Sequence, residues 1–414
     1  MIDINIIRQD PNSVKRNCVR RGIENIDVDG LVDNDKRYRD LLREIEELRA
    51  RRNALSKECK HAPEARTTVK QIKLEIVEKE KTLAQLKLEI ETTTSWLPNF
   101  LADDVPSGKS DLDNQELKKW GERRTFDFSP LDHQELGEKL DLIDTKRAAK
   151  VAKSGYFYWK GKGAQLAIAL FFWAQQELIK RGFTLFFTPC AAKESTLFGT
   201  GYLPFFADQT YELQGEELSL IGTSEQTLVS YHRDEILSAE QLPLLYAAYS
   251  PCFRTEAGSY GKETRGIFRV HQFHKVEQIA FCEPEQSENY HQLCLENEEY
   301  LLQQLNIPYR VVNVCVGDLG APGYKKYDVD AFFPGYGDYR EVCSNTNLTD
   351  FQSRRLGIRY VAEDGQKKFV HTISATAVTD RVVCAILENN QHKDGTISVP
   401  KVLQPFTGFD KIGE

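Results

Sequence analysis

Several features are missing from this 414-residue sequence. No apolar run approaches the about 18 consecutive residues of a membrane span. The first residues carry an acid where a signal peptide would be basic and then apolar. We therefore expect a cytoplasmic protein without a membrane partner. The net charge of −8 also disfavours a protein that coats nucleic acid without specificity, although a local basic patch is compatible with it.

Zinc-binding and dinucleotide-binding motifs are absent too. The nine cysteines are odd in number and form no Cys-x-x-Cys pair, so reduced thiols that pack as small hydrophobic groups explain them better than disulfides or zinc. The sequence contains no Gly-x-Gly-x-x-Gly turn. Short β-branched and aromatic runs at 183–188, 244–249, 309–316 and 368–372 alternate irregularly with helical patterns. We therefore predict an α+β domain with a mixed, mainly antiparallel sheet flanked by helices, not a Rossmann sheet.

Residues 30–97 differ in texture from the rest of the chain. They contain no glycine beyond Gly30 and one proline, Pro63. Apolar residues recur there at steps of three and four, the pattern of a coiled-coil seam. Because proline interrupts a helix interior, we predict two helices that turn at 61–63 and form an antiparallel hairpin. The predicted seam consists of Tyr38, Leu41, Ile45, Leu48, Arg52, Leu55 and Cys59, and then of Val69, Ile72, Ile76, Lys79, Leu83, Leu86 and Ile90.

Basic residues gather near the predicted turn of this hairpin. They are Arg49, Arg51, Arg52, Lys57, Lys60, Arg66, Lys70 and Lys73. A solvated helix face would explain such a cluster, but it is also the surface that binding of RNA phosphates requires. The charges alone leave both interpretations open.

Turn signals follow the hairpin. Pro98-Asn99, the Val-Pro-Ser-Gly run ending at Gly108, and Trp120-Gly121 indicate a linker over residues 98–125. We therefore predict an N-terminal domain at 1–97, which includes the hairpin at 30–97, and a second domain at 126–414.

The stretch at 252–277 carries the clearest chemical pattern. It is predicted to form a strand, a loop at 258–266 and a second strand, with Arg254 and Arg269 bracketing the loop. Guanidinium groups form paired hydrogen bonds with phosphate oxygens, so two arginines here suit a triphosphate. Phe273 and Glu277 follow Arg269 at steps of four, which places all three on one strand face. Phe273 could stack on a base, and Glu277 could accept a substrate ammonium or hydroxyl group.

This stretch resembles motif 2 of class II aminoacyl-tRNA synthetases. The pattern Phe-Arg-x-Glu, a loop, then Phe-x-x-x-Glu is typical of that class, and Phe253-Arg254-Thr255-Glu256 with the string ending at Glu277 is close to the seryl-tRNA synthetase family. The resemblance extends over essentially the whole chain. It implies activation of serine with ATP and its transfer to tRNA(Ser), and it leaves open whether tRNA(Sec) is also charged.

Other segments resemble the same family. Residues 161–190 resemble motif 1, which in this class forms a dimer interface, so the resemblance implies a homodimer; simple core packing is the alternative. Residues 371–390 resemble motif 3, but the run from His371 to Arg381 contains no glycine, unlike the usual motif. Thr376 can replace the family's serine-sensing hydroxyl, and Arg381 the motif 3 arginine. The hairpin corresponds to the family's tRNA-binding arm.

The resemblance implies a role for each matched residue. ATP would contact Arg254, Thr255, Glu256, Arg269, Val270, Phe273, Glu341, Ser344 and Arg381. Serine would contact Thr223, Glu225, Arg254, Glu277 and Thr376. Mg²⁺ would bind Glu341 and Ser344, the catalytic residues would be Arg254, Glu341 and Arg381, and the basic hairpin residues would bind tRNA. No zinc and no DNA partner are expected.

Two other functions remain open at this point. A related enzyme could charge a carrier protein, but such relatives lack the tRNA-binding arm. A catalytically inactive RNA-binding relative would be expected to lose residues such as Arg254, Glu277 and Arg381, which are present.

Overall fold

The computed structural model describes residues 1–58, 64–257 and 266–413. The chain divides into two compact units, Met1–Phe100 and Leu101–Glu414. The first unit is helical. Its helices are α1 Ile4–Gln9, α2 Pro11–Arg20, α3 Val28–Glu58 and α4 Glu64–Ser95.

The base of the first unit has its own small core. Ile7 and Val14 of the short helices pack with Leu31 of α3 and with Leu97. Side-chain caps fix the starts of the short helices, because Asp3 accepts from the amide of Asn5 and Asp10 from that of Ser13. The start of α3 and the end of α4, where Ile90 packs against the same cluster, therefore belong to this core as well as to the hairpin.

The predicted antiparallel hairpin is present. Asn34 donates to Glu89 at 3.1 Å, and Lys79 forms an ion pair with Glu44 at 2.7 Å, so early residues of α3 lie opposite late residues of α4. Every described residue of the predicted seam is buried or partly buried. Ile45, Ile72 and Ile76 form the centre of this seam. Cys59 and the predicted turn at 61–63 lie outside the described residues.

The second unit contains the remaining elements. Its helices are α5 His133–Lys139, α6 Thr145–Val151, α7 Gly161–Lys180, α8 Glu194–Thr200, α9 Glu225–Val229, α10 Ser287–Gln304, α11 Phe351–Leu356, α12 Asp380–Asn389 and α13 Gln404–Thr407. Its strands are β1 Gln115–Trp120, β2 Ile143–Asp144, β3 Tyr158–Trp159, β4 Thr184–Phe187, β5 Ala191–Lys193, β6 Leu218–Leu220, β7 Ile236–Ser238, β8 Leu244–Phe253, β9 Gln272–Cys282, β10 Tyr309–Asn313, β11 Lys325–Phe333, β12 Asp338–Thr349, β13 Arg359–Val361, β14 Lys367–Phe369, β15 His371–Thr379, β16 Ile397–Ser398 and β17 Lys411–Ile412.

An eight-stranded sheet is the centre of this unit, in the order β1-β10-β11-β12-β15-β9-β8-β4. All neighbouring strands are antiparallel except β4 and β8. Helices α7 and α10 pack on one face, where Leu170 and Leu302 join Ala280 and Ile373 in the main core. The predicted mixed, mainly antiparallel α+β architecture is confirmed. No helix within the described ranges has the length and apolar character needed to cross a membrane.

Two local predictions were wrong. Residues 98–125 are not a free linker, because β1 lies within them and pairs with β10 at the sheet edge. Its side chains are mostly exposed and polar, so it has no apolar alternation to mark it as a strand. The run at 368–372 is also not one strand: it is divided between β14 and β15, which belong to different sheets.

Candidate active site

A cavity of about 480 Å³ lies on the sheet face opposite α7 and α10, beside the start of α12. The predicted residues that line it are Arg254, Glu256, Arg269, Val270, Phe273, Glu341, Ser344, Thr376 and Arg381. These residues come from three separate stretches of the sequence, 254–273, 341–344 and 376–381. The sheet order brings them together, because β12 and β15 are neighbours and β15 pairs with β9.

A β-bulge in β12 places Glu341 and Ser344 on the same face. In a regular strand, residues three positions apart point to opposite faces. Here Cys343 pairs with Val329 and Glu341 pairs with the next residue of β11, Asp330, so Val342 is an extra residue on β12. Both Glu341 and Ser344 therefore line the cavity.

A second bulge does the same in β15. Thr376 pairs with Glu277 and Val378 with Val276, which leaves Ala377 as the extra residue. Thr376 and Thr379 consequently both line the cavity. Thr379 also caps α12, because its hydroxyl accepts a hydrogen bond from the amide of Arg381.

The two predicted catalytic arginines are held differently. The Cζ atom of Arg254 lies 5.1 Å from the centre of the Phe273 ring. Arg381 donates to the backbone oxygen of Glu341 at 2.9 Å and to that of Phe268 at 3.0 Å. Close packing opposes ionisation of Glu341, but Arg381, Lys326 and Arg254 together hold the pKa of its carboxyl below the usual value. The cavity thus combines positive groups with the ionised carboxylate of Glu341.

Arg269 reaches the cavity by a different route from the one predicted. β9 begins at Gln272, so Arg269 lies in the preceding turn and the strand-face argument that linked it to Phe273 was wrong. Its Nε atom lies 3.5 Å from Oε2 of Glu256. Most of the predicted loop, residues 258–265, lies outside the described residues.

Thr255 does not line the cavity. Its hydroxyl donates to the backbone oxygen of Asp208 at 2.5 Å, and its amide donates to Gln209. In this structure the Thr255 side chain therefore anchors the end of β8 rather than facing the cavity.

The predicted serine-binding residues form a buried group beside the cavity. Tyr202 donates to Oε2 of Glu225 at 2.9 Å, and Gln352 donates to Oε1 at 2.7 Å. Burial raises the pKa of Glu225, and the negative charge of Glu277 raises it further. The hydroxyl of Thr223 accepts from the amide of Glu225 at 3.2 Å. Thr223, Glu225 and Glu277 do not line the main cavity.

A smaller cavity of about 160 Å³ adjoins this group. Tyr202 and Gly222 line it, and it shares Gln209 and Arg254 with the main cavity. Arg254 thus faces both spaces, which suits a residue that would bridge two substrates.

Glu277 already has partners in this structure. It forms an ion pair with Lys275 and accepts a hydrogen bond from Ser374 at 2.8 Å. A substrate ammonium would therefore compete with Lys275, a residue that sequence reasoning missed. The alternation of strand β9 could have identified it, because Phe273, Lys275 and Glu277 are spaced by two.

Glu341 and Ser344 suit a magnesium ion that also binds substrate phosphates. Mg²⁺ prefers oxygen ligands and typically uses one or two protein groups while the remaining positions go to water and phosphate. The part of the chain that the structure describes holds no group of three or more His, Cys, Asp or Glu side chains that could bind a metal without a substrate. The two residues therefore fit an ion that arrives with a nucleotide.

Comparisons with known proteins agree with this geometry. Residues 1–101 match the model of the seryl-tRNA synthetase N-terminal domain, and residues 209–390 match that of the tRNA synthetase class II core domain (G, H, P, S and T). A serine–tRNA ligase from Dictyoglomus turgidum is 43% identical over 421 residues, with 100% of this chain and 99% of the relative covered. The chain belongs to the serine–tRNA ligase family.

Solved structures of this family have the same fold. The crystal structure of seryl-tRNA synthetase from Pyrococcus horikoshii complexed with ATP has a TM-score of 0.94 at 40% identity, covering 100% of this chain and 99% of that one. The cytoplasmic serine–tRNA ligase from Naegleria fowleri in complex with AMP has a TM-score of 0.89 at 30% identity, covering 100% and 98%. The predicted resemblance to seryl-tRNA synthetases is confirmed.

Sequence reasoning missed four polar residues of this site: Tyr202, Lys275, Lys326 and Gln352. Nothing in the sequence around Tyr202 indicates that its hydroxyl reaches Glu225. Gln352 lies on α11, more than a hundred residues from its partner. Only the tertiary structure could identify the contacts of Tyr202 and Gln352 with Glu225.

Proposed function

We propose that the chain is a serine–tRNA ligase: it activates L-serine with ATP to seryl-adenylate, releases pyrophosphate, and transfers serine to the 3′-terminal ribose of tRNA(Ser). The observation that carries this proposal is the convergence of Arg254, Phe273, Glu341 and Arg381 on one cavity, with a buried polar group beside it. The family relationship supports the same activity.

The proposed chemistry requires no covalent enzyme intermediate. A carboxylate oxygen of serine attacks the α-phosphorus of ATP, and the bond to the leaving pyrophosphate breaks. Arg254 would stabilise the negative charge that develops on the α-phosphate oxygens, and Arg381 would bind the γ-phosphate end. A magnesium ion at Glu341 and Ser344 would supply further charge neutralisation. A ribose hydroxyl of the tRNA then attacks the seryl carbonyl and AMP leaves.

Substrate recognition divides between the two cavities. Phe273 would stack on adenine, and Glu256, Arg269 and Val270 would complete the nucleotide contacts. Thr223, Glu225, Glu277 and Thr376 would surround serine. Such a site would reject alanine strongly, because alanine would leave the buried polar groups unpaired. Thr255 would contribute to the ATP site mainly through its backbone position.

The basic residues of the hairpin would bind the tRNA. Those in the described ranges, Arg49 to Lys57 and Arg66 to Lys73, are exposed apart from the partly buried Arg52. Arg49 forms an ion pair with Glu80 at 2.7 Å, but that pair is half exposed and therefore contributes little to stability. Such arginines remain available to RNA phosphates.

We also propose a homodimer and a cytosolic location. Ile168 and Phe172 on α7 and Phe187 on β4 are 69%, 49% and 87% exposed, an apolar surface that a second copy would cover. The described cysteines are free, and most are buried. Free thiols suit a reducing compartment such as the cytosol.

ATP–pyrophosphate exchange with serine, threonine, alanine and cysteine tests the activation step, and charging of total tRNA tests the transfer step. We expect exchange with serine far above that with the other amino acids, and charging of serine tRNA alone or with tRNA(Sec). Exchange without tRNA charging would favour an enzyme that charges a carrier protein. If neither exchange nor charging is observed, that result would favour the inactive RNA-binding relative and contradict the proposal.

A further inference from the structure

Strand β11 carries charged residues beside the Glu341–Ser344 pair. Lys326, Asp328 and Asp330 alternate along it and so share one face. Lys326 lines the main cavity, and Asp328 lies directly opposite Ser344 in the strand pairing. Asp328 is therefore on the cavity face of the sheet, one strand away from the two residues that suit a magnesium ion.

One oxygen of Asp328 is buried without a hydrogen-bond partner in the part of the chain that the structure describes. The residue is 3% exposed, and its Oδ2 atom lies 3.1 Å from Nζ of Lys326. Its Oδ1 atom is buried and accepts no hydrogen bond from any residue that the structure describes. Buried carboxylate oxygens nearly always have a donor, from the protein or from an ordered water.

Asp330, the next acidic residue on the same face, differs in this respect. Arg310 donates to its Oδ2 atom at 2.9 Å. Asp330 is therefore held by a cation on the neighbouring strand β10. Of these two aspartates, Asp328 is the one that lies opposite Ser344 and whose Oδ1 atom is buried without a hydrogen-bond partner among the described residues.

We propose that Asp328 positions the divalent cation bound at Glu341 and Ser344, by accepting at Oδ1 a hydrogen bond from a water molecule on that cation. Magnesium keeps several of its waters, and acceptors that orient such ligands affect metal affinity. Lys326, which lines the cavity, lies 3.1 Å from the other oxygen of Asp328 and so holds the carboxyl group in place. This inference rests on the proposed function, since the cation enters with ATP.

The experiment measures the affinity of the full-length enzyme for Mn²⁺ by electron paramagnetic resonance, with a saturating non-hydrolysable ATP analogue present. Asp328→Asn, which replaces one acceptor oxygen with a donor group, is expected to weaken Mn²⁺ binding about 10- to 100-fold. Lys326→Met leaves Asp328 in place and removes a positive charge near Glu341. It is expected to bind Mn²⁺ at least as tightly as the parent.

Glu298→Gln is the matched control. Glu298 is a fully buried residue of α10, on the face of the sheet opposite the cavity. The Mn²⁺ affinity of the Glu298→Gln variant should equal that of the parent. Affinity of Asp328→Asn within threefold of the parent would overturn the proposal, as would an equal loss in all three variants. If Asp328→Asn fails to fold, weakened Mn²⁺ binding by Lys326→Met would overturn it. Absence of serine-dependent exchange in the parent would instead refute the proposed function, because Mn²⁺ binding is read without turnover.

Discussion

At the scale of single residues, Arg254 combines two features of the site. Its side chain lines both cavities and lies over the Phe273 ring. Its backbone amide donates to the oxygen of His271 at 3.0 Å, so the arginine is tied to the residue just before β9, the strand that carries Phe273 and Glu277. Arg254 is thus positioned to meet the α-phosphate, where the two substrates join.

We expect Arg254→Ala to lower serine-dependent pyrophosphate exchange about 100- to 1,000-fold, the usual effect of removing one group that stabilises transition-state charge. The melting temperature should remain close to that of the parent. Arg359→Ala, which removes an exposed arginine on β13, is the control and should retain full exchange. Exchange by Arg254→Ala within threefold of the parent would refute the assignment.

Glu298 allows a test of pH dependence. It is fully buried on α10, and neither carboxylate oxygen has a hydrogen-bond partner within the described ranges. Burial raises the pKa of Glu298 well above its usual value. The folded protein therefore keeps a proton that the unfolded chain loses above about pH 4.3. The free energy of unfolding should then fall as pH rises from that value toward the raised pKa.

Glu298→Gln removes this titration. Between about pH 5 and pH 8, the melting temperature of Glu298→Gln should decline less than that of the parent, with a difference of about 3 °C or more. A change of a few kcal/mol in the free energy of unfolding shifts the melting temperature by a few degrees. Glu296→Gln, on the exposed side of the same helix, should follow the parent. Parallel pH profiles for Glu298→Gln and the parent would contradict the expectation.

At the scale of elements, the hairpin divides into a base and an arm. Leu31, Ile90 and Leu97 at the base pack with α1 and α2, so deleting all of residues 30–97 would open that core. Glu44 and Lys79 face each other across the hairpin above the base. A short linker between them would remove the arm and keep the core.

We expect a variant in which a Gly/Ser linker replaces residues 45–78 to retain serine-dependent exchange and to lose tRNA charging. Every residue proposed to bind ATP or serine lies in the second unit, and every basic hairpin residue proposed to bind tRNA lies in the removed arm. Circular dichroism would verify folding. Charging of tRNA(Ser) at the parent rate would show that the arm does not bind RNA.

A smaller change tests the charge itself. Lys70→Ala with Lys73→Ala should weaken tRNA binding. The slope of the logarithm of the binding constant against the logarithm of the salt concentration should become shallower by about one unit per lysine. Lys81→Ala with Lys87→Ala, on the same helix but nearer the base, is the matched control, and both of these lysines are exposed. Equal effects of the two pairs would indicate a diffuse charge effect, not a binding site at the tip.

At the scale of the whole molecule, the apolar surface on α7 and β4 predicts assembly. We expect a homodimer in sedimentation at micromolar concentration. Ile168→Glu with Phe172→Glu should weaken it, because two charges would be buried at the interface. Leu112→Glu, at a residue that is 90% exposed, should leave the mass unchanged. A monomeric parent would refute the proposed interface.

The sequence by itself determined the features that depend on neighbouring residues. Steps of three and four marked the seam around Ile45, Ile72 and Ile76, because helix periodicity is a local property. The string at 252–277 predicted the strand pair, and its resemblance to motif 2 indicated candidate nucleotide residues that line the cavity. The mainly antiparallel α+β class followed from short strands without a regular helix alternation.

Only the tertiary structure decided which residues face the cavity. Spacing alone would place Glu341 and Ser344 on opposite faces, and Thr376 and Thr379 likewise, but bulges at Val342 and Ala377 bring each pair to one face. A bulge is set by the register with the neighbouring strand, and that register depends on residues far away in the sequence. The contacts of Glu225, the position of Asp328 opposite Ser344 and the edge strand β1 likewise depend on residues far away in the sequence.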